Sequence, residues 1–181
     1  YEDAIADIKF AFSQYKFINS KDILERLGRL CFSYIFISGD GKFKIKTLRR
    51  TDDYSSSDQT VSFNDINLKK IGKTPLGLVK NSILVKYSHD YGANQNRFEA
   101  TATDSTSQGT TVNGFNKIMK LELDANEILD STTATKLAEA FIHIRKNRHD
   151  IIEFNTSRPK YNHLEIGDII DFSNWNSNLE L

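Results

Sequence analysis

The sequence is short of the residues that staple, kink or anchor a chain. Its 181 residues include one cysteine, one tryptophan, one methionine and two prolines. A lone cysteine excludes a disulfide within the chain, and its apolar neighbours mark Cys31 as a small core residue rather than a reactive thiol. Charge of one sign is missing too, because 24 Lys+Arg balance 24 Asp+Glu. Nothing global therefore draws the chain to nucleic acid or anionic lipid. No apolar run approaches the ~20 residues that span a bilayer, and no signal peptide opens the sequence. It starts at Tyr1 without Met and stops at Glu180-Leu181, as a piece of a longer polypeptide would.

Chemistry-bearing residues are present but not gathered. The histidines are His89, His143, His149 and His163; His143 and His149 fall on different faces of one expected helix, which excludes an i, i+4 zinc pair. Asp40 sits in a tight turn without acidic partners at calcium-loop spacing. Gly72-Lys73-Thr74 ends like a phosphate loop but lacks the earlier glycine, and Pro75 follows. No Gly-x-Ser-x-Gly elbow occurs. Asp168 and Asp171 would point to opposite faces of a strand, and Asp168 after Gly167 reads as a turn residue bonded to backbone N–H. Tyr87, Tyr91, Tyr161 and Trp175 could line a sugar or peptide surface, although core or rim packing explains them as well. The expectation is thus no catalytic residue, no metal ligand and no cofactor.

Hydrophobic periodicity supplies the architecture. Residues 130–172 form the segment around which the chain is organised. Thr132 to Asn147 reads as a helix with Ala134, Leu137, Ala138, Phe141 and Ile144 on one face, Asp130, Ser131 and Thr132 as capping candidates, and basic residues at its end. Ile151–Thr156 and Leu164–Phe172 read as an antiparallel strand pair beneath it, joined by a loop with Pro159 and Asn162. Glu2–Tyr15 reads as a first helix. Ser20 reads as the N-cap of a second, which carries Ile23, Leu24, Leu27, Leu30 and Cys31, with Gly28 hinting at a close neighbour.

A hairpin follows, Tyr34–Ile37 and Lys42–Leu48 about a Gly39-Asp40-Gly41 turn. Phe43 and Ile45 are expected inside. Lys42, Lys44 and Lys46, extended by Arg49 and Arg50, are expected outside, as a solvated edge or a phosphate-contacting strip. Further strands are expected around Val61, from Ile66 to Ile71, from Ser82 to Tyr87, from Phe98 to Thr103 and from Lys117 to Leu123. Asp104–Gly114 is so polar that it reads as an exposed, mobile loop. The sum is an α+β chain: antiparallel sheets, two N-terminal helices, and one later helix on a sheet. Residues 1–60 form a helix-helix-hairpin subdomain and 61–181 a β-rich one, the polar stretch 51–60 being the boundary.

Three ordered stretches carry a resemblance: Asp22–Leu48 with Phe36-Ile37-Ser38-Gly39-Asp40-Gly41-Lys42-Phe43, then Lys73-Thr74-Pro75-Leu76 with Val79–Tyr87, then Ala134–Ile144 through Leu164-Glu165-Ile166-Gly167-Asp168-Ile169-Ile170. In order and texture they resemble the hub or tip proteins of tailed-phage tails, including those of prophages and gene transfer agents. The resemblance implies a structural role at the distal end of the tail tube, without turnover. It implies contacts with other tail proteins and with copies of the chain, commonly as a homotrimer, and no membrane, specific nucleic acid or small-molecule substrate. It also implies assembly in the host cytoplasm and residence in the virion tail tip. Two other classes remain open on the residues alone: a stand-alone carbohydrate- or peptide-binding module using the tyrosines and Trp175, and a wall-degrading hydrolase.

Overall fold

The computed structural model describes residues 9–11, 19–47, 57, 59–110, 114–156 and 159–173. The expected Glu2–Tyr15 helix, apart from residues 9–11, lies outside them, as do Arg49, Arg50, Val112, Trp175 and most of the 51–60 stretch. The fold is α+β, as expected. It divides into two compact units that the chain enters more than once: Tyr1–Glu2, Ile18–Gly72 and Asp150–Leu181 in the first, Asp3–Phe17 and Lys73–His149 in the second. The division therefore falls after Gly72 and after His149, not after residue 60. Chain order misled here because the pairings that close the first unit join residues far apart in sequence, such as Val61 and Phe172.

In the first unit, α1 (Ser20–Leu30) is capped by Asn19, whose side chain accepts from the Lys21 N–H, so Ser20 is already the first helical residue. A tight turn with Phe32 at φ 52° reverses the chain into β1 (Ser33–Ile37), which pairs antiparallel with β2 (Phe43–Thr47). Gly28 is the close contact its sequence position implied: a Cβ there would stand 3.0 Å from the Ser33 carbonyl oxygen and 3.4 Å from Ile35 Cδ1. Beyond this come β3 (Gln59–Ser62), β4 (Ile66–Lys73), β8 (Asp150–Thr156) and β9 (Ile170–Ser173).

The expected pairing of residues 151–156 with 164–172 is not formed. β8 pairs with β4, and β9 runs parallel to β3, Val61 opposite Phe172. The reason lies in residues 165–168. They make a turn in which Gly167 takes φ +86° and Asp168 accepts from the Glu165 N–H at 2.7 Å. That turn ends the alternation, leaves Ile166 exposed and shortens the strand to Ile170–Ser173. Ile152 and Phe154 do share the more covered face of β8, and Phe154 meets Phe172 edge-to-face at 5.6 Å. Tyr161 is buried, its hydroxyl donating to Asp65 Oδ2 (3.0 Å) and accepting from the Ser62 N–H (3.2 Å).

The second unit is a three-stranded sheet in the order β6 (Gln95–Thr103), β5 (Ser82–Asp90), β7 (Lys120–Ala125). β5 is antiparallel to β6 and parallel to β7, so the sheet is mixed where antiparallel pairing was expected. Its alternation follows the sequence: Ile83, Val85 and Tyr87 are buried. The 15-residue helix α3 (Ser131–Arg145) packs on β5 and β6 through Ala134, Leu137, Ala138 and Phe141, not on the 151–172 strands. Asp130 caps it with both oxygens, Oδ1 accepting from the Thr133 N–H at 2.8 Å and Oδ2 from its hydroxyl at 2.6 Å. No helix among the described residues is long and apolar enough to cross a membrane.

Candidate functional site

Residues singled out for possible chemistry are scattered. Among the described residues, no three His, Cys, Asp or Glu side chains gather at metal-binding distance. Cys31 ends α1, where partial burial pushes its thiol up from the ordinary value. Asp168 is the turn residue expected of it. His89 bonds Asn96 Oδ1 at 3.0 Å and stacks edge-on against Tyr91 at 4.8 Å. Tyr87 and Tyr161 are buried in different units, which removes them from any common tyrosine surface.

The hairpin inverts its expected faces. Lys44 and Lys46 lie on the covered side, Lys44 Nζ donating to Glu165 Oε2 at 2.7 Å and Lys46 Nζ to Asp168 Oδ1. Lys42 pairs with Asp40 at 3.1 Å. Over its described residues, Lys42, Lys44 and Lys46, the expected phosphate strip is thereby internally paired. On the other face Ile35 meets α1 at Gly28, and Ile37, Phe43 and Ile45 remain 63%, 74% and 67% exposed. Cross-strand register places Ile37 opposite Phe43 and Ile35 opposite Ile45, so the three form one contiguous apolar ladder.

The second unit holds a recessed region that sequence reasoning missed. The stretch expected to be a mobile loop begins with a short helical turn, α2 (Ser105–Gln108), capped by Asp104 Oδ1 on the Ser107 N–H at 2.8 Å. Ser107 is buried and its hydroxyl donates to the Lys146 carbonyl at 2.7 Å. Beneath it Asn81, fully buried, ties the start of β5 to two other segments. Its Nδ2 donates to Lys117 O (2.8 Å) and Ser107 Oγ (3.4 Å), while its Oδ1 accepts from the Met119 N–H (2.8 Å). A polar, glycine-rich composition hid this, because buried side-chain bonds leave no periodic signal.

These bonds shape a cleft of about 560 Å³ lined by Lys73, Asp104, Thr106, Ser107, Gly114, Phe115, Lys146, Asn147 and Arg148. Lys146 Nζ donates to Asp104 Oδ2 at 2.9 Å, and this partner, with the Ser107 N–H, holds the Asp104 carboxyl below the usual range. Thr74 ties the far wall: its carbonyl accepts from Arg148 Nε at 2.8 Å and its hydroxyl from the His149 N–H at 3.0 Å. The Lys73-Thr74 pair, unusable as a phosphate loop, thus shapes the cleft by other means. No protein-family model matches the chain, and no curated protein matches it in sequence.

Proposed function

We propose that this chain is a structural subunit of a phage, prophage or gene-transfer-agent tail tip or baseplate hub. It acts through contacts with copies of itself and with other tail proteins, not by turnover. The observation that supports it best is the Ile37–Phe43–Ile45 ladder, three large apolar side chains together on one face of a two-stranded hairpin. Isolated hairpins are marginal in water, and apolar faces of this kind mark surfaces that bury on association. Burying the exposed two-thirds of three such side chains contributes roughly 3–6 kcal/mol, against an association cost of about 4–15 kcal/mol. The ladder alone therefore sits near the low end of what assembly needs. It suits a subunit joined to its neighbours by several contacts in a ring.

Sedimentation over a range of concentrations tests the self-contact. The mass is expected to rise with concentration, and Phe43→Ser to lower that association without changing the fold. Imaging of purified particles tests the location. A full-length protein that stays monomeric at high concentration and is missing from virions refutes the role.

A further inference from the structure

β6 is an edge strand without the usual devices that keep such strands from pairing. Among the described residues the sheet of the second unit runs β6-β5-β7, so one long side of β6 faces no other strand. Over Gln95–Thr103 there is no lysine or proline, the residues that most often blunt an edge. β7, at the opposite edge, carries a charge at every second position, Lys120, Glu122 and Asp124. Which backbone groups of β6 face outward follows from the hydrogen bonds. The Asp104 N–H donates to the Asn81 carbonyl, in the register that pairs Val85 with Ala100 and Tyr87 with Phe98. The Ser82 N–H donates instead to the Met119 carbonyl, on the β7 side. Even-numbered residues of β6 therefore turn their N–H and C=O groups to β5, while Gln95, Arg97, Glu99, Thr101 and Thr103 turn theirs away from the sheet. Arg97, Phe98 and Glu99 are exposed in succession, Phe98 at 56% although its ring centroid lies 5.8 Å from that of buried Tyr87.

We infer that β6 pairs antiparallel with β6 of a second copy of this chain, Phe98 opposite Phe98 across a two-fold axis. The hydrogen-bonded registers are those that set outward-facing residues opposite one another, and side-chain chemistry chooses among them. Centring on Arg97 or on Glu99 sets like charges face to face, which is unfavourable. Centring on Ala100 leaves Glu99 opposite Thr101 and Phe98 opposite Ala102, with neither a charge pair nor an aromatic one. Centring on Phe98 puts Arg97 of each copy opposite the partner's Glu99, and brings the two exposed rings together on the other face. Gln95–Thr101 of the two copies then share about eight ladder hydrogen bonds. Arg97 gives Nε and Nη2 to Asp90, which leaves Nη1 for the partner's carboxylate. This contact lies within the second unit and depends neither on the hairpin ladder nor on residence in a tail tip.

Sedimentation equilibrium and cysteine cross-linking decide it, both in a Phe43→Ser, Cys31→Ser background that weakens the hairpin contact and removes the native thiol. A monomer–dimer equilibrium is expected, with a Kd on the order of 100 µM or tighter. Glu99→Lys turns two attractive pairs into two repulsive ones and should weaken it by about tenfold, with unchanged circular dichroism. Phe98→Cys sets two thiols at directly opposed positions with Cβ atoms about 4.5–5.5 Å apart, and mild oxidation should link the copies. Thr103→Cys, on the order of 30 Å from its counterpart in this register, should stay unlinked. Because Phe43→Ser and Glu99→Lys report on separate contacts, loss of one association leaves the other readable. A chain still monomeric at about 1 mM, a Glu99→Lys variant that dimerises as before, or linking at 98 no greater than at 103 overturns the inference.

Discussion

Asn81→Ala is the most demanding test of how the second unit holds together. Asn81 is fully buried and makes three side-chain hydrogen bonds, to Lys117 O, Ser107 Oγ and the Met119 N–H. Each contributes about 0.5–1.5 kcal/mol net. The larger effect is on the groups left behind. In this buried setting the Met119 N–H and Lys117 carbonyl lose their partner at about 1–3 kcal/mol each if neither finds another. Partial relaxation and overlap between these terms place the expected loss at roughly 2–4 kcal/mol. At about 2–4 °C per kcal/mol for a chain of this size, the melting temperature should fall by roughly 5–15 °C. Because the chain has two units, the cleaner readout is native-state hydrogen exchange of β5 amides such as Val85, whose protection should drop while β1–β2 amides stay unchanged. Asn81→Asp keeps the Met119 contact but places a carboxylate against the Lys117 carbonyl, and should destabilise at least as much. A fall below 2 °C with unaltered β5 exchange would refute the reasoning.

Asp130→Ala removes a cap that uses both carboxylate oxygens, and should cost about 0.5–2 kcal/mol by urea denaturation with an unchanged m value. Asp90, Asp104 and Asp130 all have pKa values lowered in the folded state, chiefly by Arg97, Lys146 and the Thr133 hydroxyl respectively. Their stabilisation is complete above the unfolded aspartate value of about 3.9 and is lost as pH falls through the folded values. Melting temperature should thus decline below about pH 4, and a profile flat to pH 2 contradicts the sign. Gly28→Ala would ordinarily gain up to ~1 kcal/mol of helix propensity. Here the new Cβ would stand 3.0 Å from a backbone oxygen in a tight turn, so thermal melting should show net destabilisation instead.

Local signals carried far in this chain, and only local ones did. The α1 stripe, the hairpin turn, the burial of Ile83, Val85 and Tyr87, and the α3 face with its Asp130 cap follow from spacing and capping chemistry within a few residues. Partners remote in sequence did not follow. Nothing in the spacing of Gln59–Ser62 announces Ile170–Ser173 as its neighbour, because a parallel pair has no connecting turn to mark it. The cleft was hidden for a related reason. Asn81, Asp104, Ser107 and Lys146 read singly as ordinary polar residues, and their meeting depends on β5, the loop after β6 and the end of α3 arriving at one place.

The hairpin shows why an alternating strand fixes a period but not a side. Phe43, Ile45 and the lysines between them alternate as expected, yet a two-stranded sheet offers two faces and the pattern alone cannot say which one is covered. Partial covering of the lysines is acceptable here because Glu165 and Asp168 meet Lys44 and Lys46 and the long aliphatic stems can pack beside them. Gly167 permits that approach, since a Cβ there would come within 3.2 Å of Lys46 Cβ and Cδ. Once the turn at 165–168 claims the lysine face, the apolar face must turn outward, and α1 shields it only at Ile35. The same two carboxylates that meet Lys44 and Lys46 therefore leave Ile37, Phe43 and Ile45 on the outward face.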